Sequence, residues 1–300
     1  SSKKQGITLN SAFITNPNGA ALNVQGPLAD PSKGKRTFIV LNGENSLADG
    51  PSYTDTPDNE DEKAVLFGEG QFIFSGSGSL SVTATGKSGI VSDDYLHFTA
   101  GTVTVNTSTS ATVNGNDTLK PACIKGNDYV MVSGGTLNLT GSGTGCKGIK
   151  SDGNGYFYGG SVTVNVTGSN FGNSGNGGGP GWGNNSSNSV SAKGIKCEGN
   201  LVFKGGQVEV NCTAHEGIEA KGTITITNGE VYSYSASDDA INSGGDFTIS
   251  GGYVYGRSAG NDGLDANGDF YLKGGVVYAI GTSSPEVAID ANTEERHSLY

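Results

Sequence analysis

The chain has 300 residues, 51 of them glycine, with 16% charged residues and a net charge of −11. That acidic balance argues against nucleic acid, whose binders need a basic footprint, and no apolar run approaches the roughly 20 residues of a membrane-spanning helix. Four cysteines are too few for a disulfide scaffold at this length, and no CxxC or Cys/His spacing points to zinc.

Taken in order, residues 1–62 are strand-rich but poorly periodic. Ile7/Leu9, Leu22/Val24 and Phe38/Val40 read as inward pairs of entry coils, and Thr15 to Gly19 reads as a turn. Residues 49–62 form an acidic, proline-containing loop. The opening Ser1-Ser2-Lys3-Lys4 reads as a mature or trimmed start.

Regular coils are expected over 63–291. Phe72/Phe74 and Leu80/Val82 match Leu96/Phe98 and Val103/Val105 one coil later. Ile124 follows Ile90 by 34 residues, and the surplus, 106–120, reads as an extruded loop. Ile149 comes 25 residues on, and Ile195 a further 46, twice the period. The Gly/Asn-rich stretch 168–191 accounts for that excess. It lacks apolar alternation, cannot offset the entropy of ordering a coil of its own, and carries Trp182.

From Ile195 the period is regular. Ile218, Ile241 and Leu264 follow at 23 residues each, and Ile289 at 25. Ten residues after the first four anchors comes Gly205-Gly206, Asn228-Gly229, Gly251-Gly252 or Gly274-Gly275. Apolar residues recur between anchor and turn, at Leu201/Phe203, Ile224/Ile226, Phe247/Ile249 and Phe270/Leu272. Residues 292–300 lose the pattern and read as a tail or the start of a cap. Cys197 and Cys212 fall on inward positions as free thiols. Cys123 and Cys146 lie on neighbouring coils but in different columns, which leaves a disulfide open.

A fixed period of this size is the signature of a repeat architecture. Two-residue alternation makes each repeat a set of short strands, and a unit that cannot bury its own apolar face must stack on its neighbours. The expected fold is all-β: a single-stranded right-handed parallel β-helix, a solenoid of about 23 residues per coil, forming one domain over 1–300. Adjacent coils stand ~4.8 Å apart, so equivalent residues form ladders.

Two outward ladders change sign along the chain. One residue after the anchor the column reads Lys125, Lys150, Lys196, Glu219, Asn242, Asp265, Asp290; two residues before, it reads Lys147, Lys193, Glu216, Asp239, Asp262. Carboxylates one coil apart repel by roughly 3.5 kcal/mol at an effective dielectric near 20. A run of them calls for a cation, hydrogen bonds or raised pKa values, and an all-oxygen set suits Ca²⁺. The candidate metal ligands are Asp239, Asn242, Asp262, Asp265 and Asp290, then Glu216 and Glu219. Solvated turn carboxylates are the competing reading. The lysine end (Lys147, Lys150, Lys193, Lys196) is read either as a patch for the carboxylates of an acidic glycan or as charge balance.

A third ladder lies on the strand after the glycine pair, where Tyr232, Tyr255 and Tyr278 alternate with Val231, Val254 and Val277. With the valines inward, the tyrosines face out as a row that can grip the apolar faces of sugars, or serve as a structural stack. Trp182 is the remaining aromatic candidate for ligand contact.

The run from Asn45 to Gly50, then Ala64-Val65-Leu66-Phe67, then Gly76 to Val82, then Ser88 to Asp94 resembles a family of bacterial calcium-binding β-helix carbohydrate-binding domains. Its members are of a clostridial cellulose- and pectin-binding type and are common in Bacteroidales. Lys147-Gly148-Ile149-Lys150, Lys193-Gly194-Ile195-Lys196 and Asp262-Gly263-Leu264-Asp265 extend the resemblance, which spans about residues 6–291. It implies a fold like that of pectate lyases, structural calcium, and binding of cellulose-like and acidic, pectin-like polysaccharides without an established lyase activity. The Gly/Asn loop around Trp182 departs from the family pattern.

The function expected is therefore a non-catalytic, extracellular or cell-surface polysaccharide-binding protein, monomeric, with calcium as its cofactor and a lipid anchor before trimming as one mode of attachment. Two alternatives stand beside it: a calcium-dependent, pectate-type polysaccharide lyase and an adhesin-like structural solenoid. A lyase needs a Lys or Arg base beside calcium, whereas Arg36 and Arg296 fall outside the regular repeat, leaving Arg257.

Overall fold

Alternation of apolar and polar residues makes strands here, and glycine places their corners. The computed structural model describes residues 4–25, 36–54, 61–114, 117–172, 189–291 and 298–300. Among these there is no helix. The strands form two large sheets, of 15 and 10 strands, with parallel pairing throughout. A small antiparallel hairpin, Thr112–Asn114 with Asp117–Leu119, occupies the stretch expected to be extruded after Asn106. The architecture is all-β and β-helix-like.

The 10-stranded sheet stacks short strands in parallel, such as Lys193–Cys197, Ile218–Ala220 and Ile241–Ser243. Each presents its anchor residue to the interior. Ile149 pairs with Ile195, Ile195 with Ile218, Ile218 with Ile241, Ile241 with Leu264 and Leu264 with Ile289. Ile149 through Leu264 are fully buried, and Ile289 is half-buried. The direct pairing of Ile149 with Ile195 shows that the 46-residue interval joins adjacent strands. Phe171 and Val190 exchange backbone hydrogen bonds of 2.8 and 3.0 Å across the neck of that excursion. Trp182 lies outside the described residues, as does most of the excursion.

The 15-stranded sheet forms two faces joined at a corner. In the C-terminal half one long strand spans both, as in Ile224–Ser235 and Phe247–Ser258, instead of two separate short strands. The bends fall at Gly206, Gly229, Gly252 and Gly275, all with positive φ. A Cβ at Gly252 would stand 2.6 Å from the carbonyl oxygen of Gly229, and its φ is +83°. Gly252→Ala is therefore expected to lose about 1–3 kcal/mol, the cost of a strained backbone conformation, read as a lower urea midpoint with an unchanged slope. Full retention of the midpoint would show that the corner tolerates a side chain.

Side chains from all three faces meet in one core. Its aromatic members stack: Phe74 on Phe98 at 4.7 Å and Phe157 on Phe203 at 4.9 Å between ring centroids. Cys123, Cys146, Cys197 and Cys212 are buried and free.

Two expectations need correction. Ile39 and Leu41 point inward, not Phe38 and Val40. Residues 38–41 are continuously apolar, so alternation alone leaves the parity open, and a one-residue slip flips every side chain. Pairing of Thr37 with Phe72 and Ile39 with Phe74 decides it. Leu272 is 43% exposed, because among the described residues its strand Phe270–Ile280 has a full-length neighbour on one side only. Residues 298–300 rejoin the stack: Leu299 bridges Phe270, and the Tyr300 ring stacks on Tyr271 at 5.2 Å.

Candidate functional site

Parallel in-register pairing turns a sequence column into a physical ladder. Lys125 pairs with Lys150, Lys150 with Lys196, Lys196 with Glu219, Glu219 with Asn242, Asn242 with Asp265 and Asp265 with Asp290. These residues alternate with the buried anchors and so face away from the core. The column two residues before each anchor runs beside them, and the two interlock.

At the basic end the lysines are consumed by the protein itself. The Lys147 ammonium is buried and donates to the carbonyls of Gly145, at 3.2 Å, and Ser191, at 2.7 Å. Burial, then the neighbouring Lys196 and Lys193, push its pKa down to about 7. Lys193 is buried between Glu216, at 2.8 Å, and Glu219, at 2.6 Å. Burial opposes its charge, but the two carboxylates outweigh burial and hold the pKa above the ordinary lysine value. Lys150 pairs with Asp152 at 2.9 Å and with Glu198, and Lys196 lies 3.5 Å from Glu219. An exposed lysine patch at Lys147, Lys150, Lys193 and Lys196 is thus not formed. Of the two readings of the basic end, this geometry is charge balance.

Glu216 and Glu219 stand apart from the other five candidates and face cationic side chains, and Glu216 forms a second cluster with His215 and Asp238, whose ligand atoms lie within 4.8 Å of one another. Glu219 is 1% exposed and faces Lys193, Lys196 and Lys221. Glu216 faces Lys193 and His215. Burial would raise its pKa, yet the His215 hydrogen bond and the Lys193 charge bring it down to about 2.

At the acidic end the structure brings the other five candidates together. The Asn242 amide donates to Asp239 and to Asp265, each at 3.0 Å. Asp239 also accepts from the Asp262 backbone N–H at 3.0 Å, and Asp262 accepts from that of Val287. One carboxylate oxygen each from Asp262, Asp265 and Asp290 lies within 4.8 Å of the others. Burial, and then neighbouring carboxylates against hydrogen bonding, raise Asp239 to about 8 and Asp265 to about 7. Burial raises Asp262 to about 6. No lysine pairs with Asp239, Asp262 or Asp265 among the described residues. The donors are all oxygen and crowded, which fits a hard cation such as Ca²⁺.

His215 beside Glu216 reads from sequence as a structural histidine, and the structure adds Asp238 to the pair. The His215 imidazole faces Glu216 and stands 2.6 Å from Asp238, which Asn261 also contacts at 3.3 Å. Burial opposes its charge, but these carboxylates raise its pKa to about 9. His215, Asp238 and Asn261 are themselves a column at the 23-residue step, a signal available in the sequence.

On the outer face of the long sheet Tyr232 pairs with Tyr255 and Tyr255 with Tyr278, while Val231 and Val254 are buried behind them. The rings do not stack down this column. Tyr253 stands between, 5.4 Å from Tyr232 and 5.7 Å from Tyr278. Tyr232, Tyr234 and Tyr255, with Gln207, Glu209 and Asn211, line an open groove of about 520 Å³. Tyr278 stands outside its lining and is 54% exposed.

A parallel β stack carrying outward acidic and aromatic ladders defines a repeat protein whose chemistry sits on its sheet faces. A family model for carbohydrate-binding domain-containing proteins matches residues 1–140 and 123–240, and the chain belongs to that family. No curated protein matches it. Among solved structures, one described as a polysaccharide lyase-like protein from C. thermocellum, a gadolinium derivative, is similar with a TM-score of 0.39 and 15% identity. That likeness covers 96% of this chain and 77% of the other, and is too loose to carry residues across.

Proposed function

We propose that this chain is an extracellular or cell-surface, non-catalytic polysaccharide-binding protein, monomeric, that takes plant cell-wall or acidic, pectin-like glycans and is stiffened by calcium. Its fold is read as one right-handed coil of about 23 residues per turn, forming a single domain. The 23-residue spacing of paired ladder residues, such as Asn242 and Asp265, supports that reading.

The tyrosine groove carries the proposal. Sugar rings present an apolar face and a polar rim, and the groove offers both: aromatic rings beside the amides of Gln207 and Asn211 and the carboxylate of Glu209. Calcium would be held by Asp262, Asp265 and Asp290, with Asp239 and Asn242 adjoining, and would supply positive charge that lets the carboxylates ionise together.

Tyr232→Ala with Tyr255→Ala is expected to weaken binding of neutral cell-wall oligosaccharides about tenfold or more, since each aromatic contact is worth about 0.5–1.5 kcal/mol beyond its area. Calorimetry against an oligosaccharide panel checks this, with circular dichroism to verify folding. Unchanged affinity would remove the groove from the reading. Unsaturated-uronate absorbance in the same mixtures would instead identify a lyase.

A further inference from the structure

We infer that the chain carries a second sugar site, distinct from the tyrosine groove, selective for sugars bearing an anionic group. It is a cleft of about 650 Å³ lined by Tyr53, Lys63, Lys87, Lys120 and Lys125, with Val91 in its lining. Tyr53 and Lys63 stand on one side of it, and the hairpin whose Thr118 and Leu119 also line it interrupts the repeat there. Phe67 pairs with Val91 and Val91 with Lys125, so the cleft sits on the outward column whose far end is acidic.

Among the described residues, two of its cations have no carboxylate partner. The Lys87 ammonium lies 4.6 Å from the Tyr53 ring centroid and donates to the Glu62 carbonyl. Lys120 is exposed and makes no ion pair among the described residues. By contrast, Lys63 is matched by Asp61 and Asp93, and Lys125 by Asp152. Uncompensated positive charge in a concave site attracts anions even on a chain of net charge −11.

The wall is also preorganised. Asp49 accepts from the backbone N–H of Thr85 at 2.7 Å, of Gly86 at 3.2 Å and of Lys87 at 3.3 Å, and from the Tyr53 hydroxyl at 3.0 Å. Glu62 accepts from the Ala20 N–H at 2.7 Å. The Tyr53 ring and the Lys87 ammonium are therefore held together before any ligand arrives, which lowers the ordering cost of binding. An aromatic face beside cations suits a sugar ring carrying a carboxylate or a sulfate ester, and the volume lies within the range of small-ligand sites.

This inference rests on the reading of the chain as a glycan binder, and the test separates the two. Calorimetry at low and high salt compares trigalacturonate, its carboxyl-reduced neutral counterpart and a sulfated trisaccharide. The intact chain should bind at least one anionic oligomer about tenfold more tightly than the neutral one, weakening as salt rises. Lys87→Ala with Lys120→Ala should erase that preference and leave neutral binding at the tyrosine groove unchanged. Lys120→Glu alone, at an exposed position, should weaken anion binding without loss of folding. The tighter of the two anionic oligomers identifies the source of the charge. Equal affinity for anionic and neutral oligomers, or a preference surviving both variants, overturns the inference. So does failure of both anionic oligomers to bind. Neutral binding lost only in the tyrosine variants would leave the first reading standing by itself.

Discussion

Calcium is expected to raise the melting temperature by about 5–10 °C at a hundredfold excess over its dissociation constant. A ligand bound only by the native state adds about 2.7 kcal/mol under those conditions, and each kcal/mol is worth about 2–4 °C in a chain of this size class. The gain should disappear with chelator and fall sharply in Asp265→Asn, because Asp265 belongs to the oxygen cluster with Asp262 and Asp290 and accepts from Asn242. The pH dependence gives a second handle. Asp239, Asp265 and Asp262 have folded pKa values of about 8, 7 and 6, above their ordinary value of 3.8. A carboxyl raised by folding favours the native state at low pH, and that contribution is lost as pH climbs through the folded pKa. Without calcium, stability should decline from about pH 4 to pH 8. With calcium the decline should flatten, because the ion favours the charged form. Scanning calorimetry on metal-counted samples checks both. No shift in melting temperature and no bound metal would reduce the acidic ladder to protonated, hydrogen-bonded side chains.

Lys193→Ala is expected to destabilise the fold by about 3–5 kcal/mol, the cost of removing one partner of a buried ion pair. Lys193 is the buried cation between Glu216 and Glu219, and Glu219 is almost wholly inaccessible. Removing the charge leaves the two carboxylates of one repeat without the buried cation between them. Combining Lys193→Met with Glu216→Gln and Glu219→Gln should recover most of the loss, since neutral groups of similar shape need no counter-charge. Urea titration measures both. A Lys193→Ala chain of undiminished stability that loses affinity for acidic glycans would restore the basic end as a ligand surface.

Much of the scaffold was legible before any coordinates. The anchors from Ile149 to Ile289, the glycine corners and the two charged columns were readable because a parallel stack makes every ladder a sequence repeat. Where the repeat faltered, so did the reading. Residues 38–41 are apolar at every position, and their parity was decided only by pairing with Phe72 and Phe74. The tyrosine column was found, but Tyr253 inserts between its rings.

By itself, then, the sequence determined the all-β parallel stack, which residues form its core and which charges line up along its outside. Those properties depend on alternation and period, both local and repeated. Tertiary structure alone decided how the charges are spent: Lys193 on two glutamates, Asn242 between two aspartates, Lys87 against Tyr53. The reason is geometric. Period assigns a residue to a column, but the partner its side chain reaches depends on neighbouring columns and on loops that interrupt the repeat, and these meet only when the chain folds.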